Sequence, residues 1–215
     1  MGLKIQLSKA FVLCLLFLFG FGVMAVLVSK QTIVKFDSTI IGFVQGFETP
    51  ILTTIMKFFS FIGGMIPVLV LSVLVLVLLY TVLKHRSELI LFIAVITGAN
   101  ILFVTLKLFF HRARPDLHRL AEASNYSFPS GHATMAFALY GSIMYLVWRH
   151  ISTRLGRVIV IIISSLMIST IGISRVYLGV HYPSDIIAGY FISGFWLFFS
   201  ILIFQRYKKK RKKDK

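Results

Sequence analysis

Three clusters of polar residues stand at the ends of long apolar segments, at residues 107–115, 127–132 and 174–185. They hold lysine, arginine, histidine, serine and aspartate in an otherwise apolar sequence. Ammonium and guanidinium groups suit a phosphate dianion, which arginine can bind through two parallel hydrogen bonds. A histidine beside such a site can act as nucleophile or general acid. The residue types therefore predict phosphoryl chemistry.

The cations of the first and third clusters are spaced so that they can converge. Lys107 and Arg114 lie seven residues apart, so two helical turns would stack them on one face. Pro115 disfavours helix in the residue before it, and this helix is expected to end near Arg114. Arg175 adds a third cation from another segment. We expect these three side chains to bind phosphate.

The second cluster, Pro129-Ser130-Gly131-His132, precedes an apolar segment. This order predicts a turn that leads into a helix N-terminus. Free backbone N–H groups and the positive end of the helix dipole bind anions there, and Gly131 lets the backbone approach a ligand closely. We expect Ser130 and Gly131 to bind phosphate and His132 to protonate the leaving oxygen.

The third cluster supplies a nucleophile. His181 and Asp185 lie four residues apart, with Pro183 well placed as a first helical residue. A carboxylate that accepts a hydrogen bond from one imidazole nitrogen leaves the other nitrogen unprotonated. We therefore predict His181 as nucleophile and Asp185 as its partner.

Other ionisable residues occupy the loop after the first cluster. His111, Asp116, His118 and Glu122 match no familiar spacing of metal ligands. We predict no metal at the site, and the role of these residues stays open.

The composition decides what kind of elements position the clusters. The 215 residues are 58% hydrophobic and only 14% charged, with a mean hydropathy of +0.90. A soluble globule has more polar residues than this. The 21 phenylalanines exclude disorder, and the single cysteine, Cys14, excludes a disulfide scaffold. An integral membrane protein remains.

Six uncharged runs approach the length of about 20 residues that a membrane-spanning helix needs. We predict an all-α bundle of six transmembrane helices in one membrane-embedded domain, residues 1–215, and we interpret the first run as an uncleaved signal anchor. The runs are Ala10–Ser29, Phe58–Leu83, Leu89–Leu106, Ala133–Trp148, Val158–Ser174 and Ile186–Gln205.

Six spans place both termini on one side of the membrane, and the excess of lysine and arginine predicts that this side is cytoplasmic. All three polar clusters then lie on the extracytoplasmic side. The basic tail, residues 206–215, is expected to attract anionic lipid headgroups. Nothing accompanies it that would bind nucleic acid, and no obligate protein partner is evident.

The segment between the first two spans, residues 30–57, carries a helical stripe of apolar residues. Val34, Ile40, Ile41, Val44 and Phe47 recur at three- and four-residue steps. The stripe predicts an amphipathic helix on the outer interface. An irregular loop with scattered apolar residues is the alternative.

The three clusters also resemble the signatures of a known family. Lys-x6-Arg-Pro at 107–115, Pro-Ser-Gly-His at 129–132 and Ser-Arg-x5-His-x3-Asp at 174–185 are similar to those of the type 2 phosphatidic acid phosphatase superfamily. The six-span layout resembles its bacterial membrane branch. The resemblance implies phosphate binding by Lys107, Arg114, Ser130, Gly131, His132 and Arg175. It also implies His132 as acid, a phosphohistidine on His181 with Asp185 as partner, and no metal cofactor.

These features together predict a multi-pass phosphatase of the plasma membrane that acts on a lipid headgroup at the outer interface. Undecaprenyl diphosphate, phosphatidylglycerophosphate and phosphatidate are the candidate substrates. A non-catalytic lipid-phosphate binder or flippase is one alternative. An activity like that of the vanadium-dependent haloperoxidases is a weaker alternative, because those relatives are soluble.

Overall fold

The computed structural model describes residues 2–82, 86–116 and 118–213, and every regular element in these ranges is a helix. The predicted all-α class is therefore confirmed for this part of the chain. A π-helical turn, Leu78–Val82, follows the fourth helix. The α-helices are α1 (Gly2–Ser29), α2 (Val34–Gln45), α3 (Pro50–Ile62), α4 (Met65–Val77), α5 (Arg86–Phe110), α6 (Gly131–His150), α7 (Arg154–Tyr177) and α8 (Pro183–Lys213).

Four of these helices are long and apolar enough to cross a membrane. They are α1 over Ala10–Ser29, α5 over Arg86–Phe110, α7 over Arg154–Tyr177 and α8 over Pro183–Lys210. They contain the first, third, fifth and sixth predicted spans. Large apolar side chains such as Phe19, Leu155 and Ile163 are exposed on them, as expected of surfaces that face lipid.

The second predicted span, Phe58–Leu83, is wrong as one continuous helix. The chain bends by 52° between α3 and α4, and Phe58 belongs to α3. The bend falls at Gly63 and Gly64. At Gly63 a side chain would collide with Ile171 of α7, since a Cβ there would lie 2.4 Å from its Cγ2 atom. The predicted end, Leu83, lies outside the described residues, as do residues 214 and 215 of the basic tail.

The fourth predicted span, Ala133–Trp148, forms α6, which is less apolar than the four helices above and is not counted among the candidate spans. Small and polar residues such as Ala136, Ser142 and Gly141 are buried on it, and it packs against α5, α7 and α8. With the bent α3–α4 pair the chain has up to five candidate spans among the described residues. Six crossings therefore stay a prediction.

The segment 30–57 contains two helices, α2 and the first part of α3, so an irregular loop is the wrong interpretation. A helix over this segment is therefore confirmed, whereas its position on the outer interface stays a prediction. Ile41 is buried on α2 and Val34 is exposed there; Phe47, in the turn after α2, is exposed as well. The other buried residue of α2 is Asp37, about one helical turn from Ile41.

The packing brings four helix ends together. α5 and α7 end where α6 and α8 begin, and a hydrogen bond from the Ser130 N–H to the Asp185 carbonyl, 3.1 Å long, joins the starts of α6 and α8. α3 packs on α7, and the Thr53 hydroxyl lies 2.8 Å from the Tyr177 hydroxyl. The three polar clusters are thus carried to one end of the bundle.

Candidate active site

His181 and Asp185 form a hydrogen-bonded pair at the start of α8. His181 lies in the short turn after α7, and Pro183 begins α8, so the imidazole and the carboxylate fall within one turn. Nδ1 of His181 lies 3.3 Å from Oδ2 of Asp185. The same oxygen accepts a hydrogen bond from the backbone N–H of Tyr182 at 3.0 Å. With its proton on Nδ1, the imidazole has its lone pair on Nε2.

Arg114 faces that lone pair. Its Nη1 atom lies 3.2 Å from Nε2 of His181 and donates to the carbonyl of Val180 at 2.7 Å. Its Nη2 atom donates to the carbonyl of Ser124 at 2.8 Å, and its Nε atom to that of Asn125 at 2.9 Å. The loop carbonyls fix the guanidinium, and a bound phosphate oxygen could replace the contact with His181.

The surroundings keep His181 uncharged. Burial lowers the pKa of its imidazole well below the ordinary value, and the nearby cations Arg114, Arg175 and Lys107 lower it further. Because a neutral imidazole is the nucleophilic form, the environment holds His181 in that form at neutral pH. These three predicted cations come from a loop, from α7 and from α5. The prediction that the helix after Lys107 ends near Arg114 is wrong, because α5 ends at Phe110 and Arg114 lies in the following loop.

Arg175 carries an unused donor. Its side chain is buried, and its Nη1 atom donates to the hydroxyl of Ser60 on α3. Within the part of the chain that the structure describes, its Nε–H group has no hydrogen-bond partner. Buried donors are nearly always satisfied in folded proteins. An anion that binds beside Arg175 would supply the missing acceptor.

The start of α6 forms another side of the site. Ser130 is the N-cap, and its hydroxyl accepts from the N–H of Ala133 at 3.4 Å. A Cβ at Gly131 would lie 3.0 Å from the ring of Phe103, so glycine allows the helix start to pack closely on α5. His132 follows and borders a cavity together with Arg175 and Ser60.

This cavity has a volume of about 680 Å³ and a mixed lining. His132, Arg175 and Ser60 form its polar part. Lys57 and Glu122 add one charge of each sign, and both side chains are exposed. The rest of the lining is apolar and comes mainly from the α3–α4 bend: Phe61, Gly64, Met65, Ile66, Pro67, Leu120, Ala121 and Leu178. Such a lining fits a molecule with a charged head and an apolar body.

The ionisable residues of the loop after α5 do not converge. His118 pairs with Glu48 at 2.9 Å, His111 packs its ring on Tyr126, and the exposed Asp116 lies 3.5 Å from Arg119. Within the described ranges no three His, Cys, Asp or Glu residues are grouped so that they could hold a metal ion.

Sequence reasoning missed three residues that contact the histidine–aspartate pair or its partners. Arg112 donates to Oδ1 of Asp185 at 2.6 Å, and Asp37 pairs with Arg112 at 2.7 Å. Ser184 donates its hydroxyl proton to Asp37 at 2.6 Å. One signal was present in the sequence, because Asp37 interrupts the apolar stripe of α2 between Val34 and Ile41. An acid on the apolar face of a helix indicates a buried partner.

An all-helical fold with apolar surfaces, a cationic pocket and a buried histidine–aspartate pair defines a membrane protein of the PAP2 type. The sequence model of the PAP2 superfamily matches residues 87–209, more than half of the chain, and the chain belongs to this superfamily. The match covers all three polar clusters. It begins after α4, so it does not include Asp37.

One curated protein and one crystal structure from Bacillus subtilis are similar to this chain. Phosphatidylglycerophosphatase B of strain 168 is 38% identical over 110 residues, which are 50% of this chain and 54% of that protein. The chain thus spans about half the length of this curated relative. The crystal structure described as the first transmembrane PAP2 type phosphatidylglycerolphosphate phosphatase matches with a TM-score of 0.81 and 27% identity. That match covers 92% of this chain and 96% of the other.

A more distant structure shares the fold alone. Aquifex aeolicus LpxE matches with a TM-score of 0.64 at 23% identity, over 77% of this chain and 94% of its own. The match to the Bacillus structure extends the likeness to 92% of the chain. The architecture described above is therefore a membrane PAP2 fold like that of phosphatidylglycerophosphatase B.

The cationic pocket predicts stabilisation by inorganic phosphate. Detergent-solubilised protein should melt at a higher temperature with phosphate, since a ligand at 100 times its Kd stabilises by about 2.7 kcal/mol. Arg175→Gln should lose most of this shift. Arg119→Ala, a matched control that removes one positive charge from the neighbouring loop, should keep it. Equal shifts in the two variants would contradict phosphate binding at Arg175.

Proposed function

We propose that the protein is an integral-membrane lipid phosphatase that works through a phosphohistidine. Nε2 of His181 attacks phosphorus, the bond from phosphorus to the lipid oxygen breaks, and His132 gives that oxygen its proton. Water then attacks phosphorus, the P–N bond breaks, and His132 takes the proton of the water. The observation that carries the proposal is the buried Asp185–His181 pair, whose free nitrogen faces Arg114.

The charge of the transferring group is balanced by the protein in this proposal. Lys107, Arg114 and Arg175 all lower the pKa of His181, and the N-terminus of α6 adds the backbone N–H groups near Ser130 and Gly131. Preorganised donors of this kind provide the largest share of transition-state stabilisation in many enzymes. The reaction should therefore need no metal ion.

The substrate we propose is a lipid phosphate, with phosphatidylglycerophosphate first. The cavity supports this choice, because its cationic end lies beside an apolar wall from the α3–α4 bend. The names of the Bacillus relative and of the Bacillus crystal structure favour phosphatidylglycerophosphate. Undecaprenyl diphosphate and phosphatidate remain the competing substrates, because each also combines a terminal phosphate with an apolar chain.

We propose six crossings for the single domain of residues 1–215, in the plasma membrane with both termini in the cytoplasm. α6 would cross inside the ring of more apolar helices. α6 and α8 begin at the site and run toward Arg149 and the basic tail. The positive-inside rule then places the site on the extracytoplasmic side and the tail against anionic headgroups.

The two histidines should respond differently to substitution. His181→Ala removes the nucleophile and should abolish phosphate release from every substrate. The wild-type protein should release phosphate equally well with and without EDTA. His132→Ala removes a proton donor, an effect typically worth about 10²–10⁴-fold. Nitrophenolate leaves readily as an anion, so this variant should retain a larger fraction of kcat on nitrophenyl phosphate than on phosphatidate. A diphosphate should lie between the two.

The comparison must include kcat at saturation as well as kcat/KM, because His132 also borders the phosphate site. Equal fractional losses in both variants on all three substrates would contradict the division of roles. A wild-type protein that binds lipid phosphates without releasing phosphate would instead indicate a binder or flippase. Activity lost in EDTA and restored by Mg²⁺ or Zn²⁺ would contradict the metal-free reaction.

Cysteine labelling should reveal the orientation of the site. In a Cys14→Ser background, Asp116→Cys should react with an impermeant thiol reagent in intact cells, because Asp116 is fully exposed in the loop after α5. Ser152→Cys, exposed between α6 and α7, should react only after the cells are opened. The reverse pattern would place the site in the cytoplasm.

A further inference from the structure

Asp37 is a buried carboxylate with three donors, although it lies on a helix that contributes no residue to the predicted site. Only 1% of its surface is exposed. Its Oδ1 atom accepts from the backbone N–H of Ser184 at 2.9 Å. Its Oδ2 atom accepts from the Ser184 hydroxyl at 2.6 Å and from Nη2 of Arg112 at 2.7 Å. The carboxylate thus binds both the start of α8 and the loop after α5.

Arg112 connects this carboxylate to Asp185. Its Nη1 atom donates to Oδ1 of Asp185 at 2.6 Å and to the Ser184 hydroxyl at 2.7 Å. The ring of Tyr182 lies 4.0 Å from the centre of the guanidinium and covers it. A planar fork that spans two carboxylates is a property of arginine and not of lysine.

The connection fixes the orientation of Asp185. Arg112 occupies Oδ1, so Oδ2 is the atom left for the Tyr182 N–H and for Nδ1 of His181. Because Arg112 is shared with Asp37, its positive charge is divided between two carboxylates. If Asp37 were neutral, Arg112 would pair with Asp185 alone. It would then compete with His181 for the negative charge of the Asp185 carboxylate.

We infer that Asp37 is a positioning residue for the His181–Asp185 pair, and that α2 holds the nucleophile in place through Arg112 and Ser184. This inference rests on the proposed phosphatase function. The ion pairs by themselves do not indicate a role in stability, since a buried pair is often no more stabilising than apolar residues of the same size. The contacts of Arg112 with Asp37 and Asp185 instead fix the orientation of the Asp185 carboxylate.

Asp37→Asn tests the inference, because asparagine keeps the size of the side chain and one acceptor for Ser184. We expect kcat to fall about 10- to 100-fold, the range typical of outer partners that orient a histidine at metal sites. The Ki of inorganic phosphate should stay within about twofold of wild type, since Asp37 touches none of the predicted phosphate ligands. Such an unequal effect on the two constants distinguishes positioning from general loss of structure.

The substrate dependence of the loss is a second readout. Asp37→Asn acts on the nucleophile and leaves His132 in place, so its fractional loss should be the same for nitrophenyl phosphate and phosphatidylglycerophosphate. Arg112→Lys keeps the charge without the fork and should behave like Asp37→Asn. Ser38→Ala is the matched control on α2. Among the described residues the Ser38 hydroxyl donates to the Lys35 carbonyl alone, and the variant should match wild type in both constants.

Two results would overturn the inference. One is a kcat for Asp37→Asn within twofold of wild type. The other is a rise in the Ki of phosphate as large as the fall in kcat, because equal losses would indicate a structural role only. If Asp37→Asn does not fold, Ser184→Ala gives the same test, with a severalfold fall in kcat and an unchanged Ki expected. Wild-type protein without phosphatase activity would contradict the proposed function, whereas an active wild type with a neutral Asp37→Asn contradicts this inference alone.

Discussion

The buried carboxylate of Asp185 holds the site together. An ionised carboxylate inside a protein is costly unless its oxygens are hydrogen-bonded or paired with a positive charge. Here one oxygen faces His181 and the other binds Arg112, while the backbone carbonyl of the same residue accepts from Ser130. The hydrogen bonds that satisfy Asp185 therefore connect the start of α8 with the loop after α5 and with the start of α6. A change in the Asp185–His181 contact would therefore reorient the proposed nucleophile.

On the other side of His181 the charges are not balanced, because positive charge is in excess there. Lys107, Arg114 and Arg175 all lower the pKa of the imidazole, and the Nε–H of Arg175 has no acceptor among the described residues. Like charges near one another oppose folding, and in the proposed function a phosphate dianion would relieve their repulsion. On this proposal the bundle keeps the Asp185 network intact and holds the cations near one another until the anion binds.

The sequence predicted the four helices with continuous apolar runs and the residues of the three clusters, because both are local patterns. Two features escaped it for physical reasons. The bend at Gly63 and Gly64 depends on the close approach of α7 to α3, which hydropathy does not encode. The pairing of Asp37 with Arg112 joins residues 75 positions apart. The sequence also predicted α6 as a span; its crossing stays a prediction, since a helix enclosed by others needs fewer apolar residues than one that faces lipid.

Covalent capture of the phosphoryl group on His181 is the most direct test of the proposed chemistry. Protein mixed with a lipid phosphate that carries a radiolabelled terminal phosphate is quenched in alkaline detergent, digested and mapped. Label should appear on the peptide that contains His181, survive alkali and be released by acid, as expected of a phosphorus–nitrogen bond. It should be absent from His181→Ala. Label on another residue, or rapid phosphate release with no labelled protein in any quench, would contradict nucleophilic catalysis by His181.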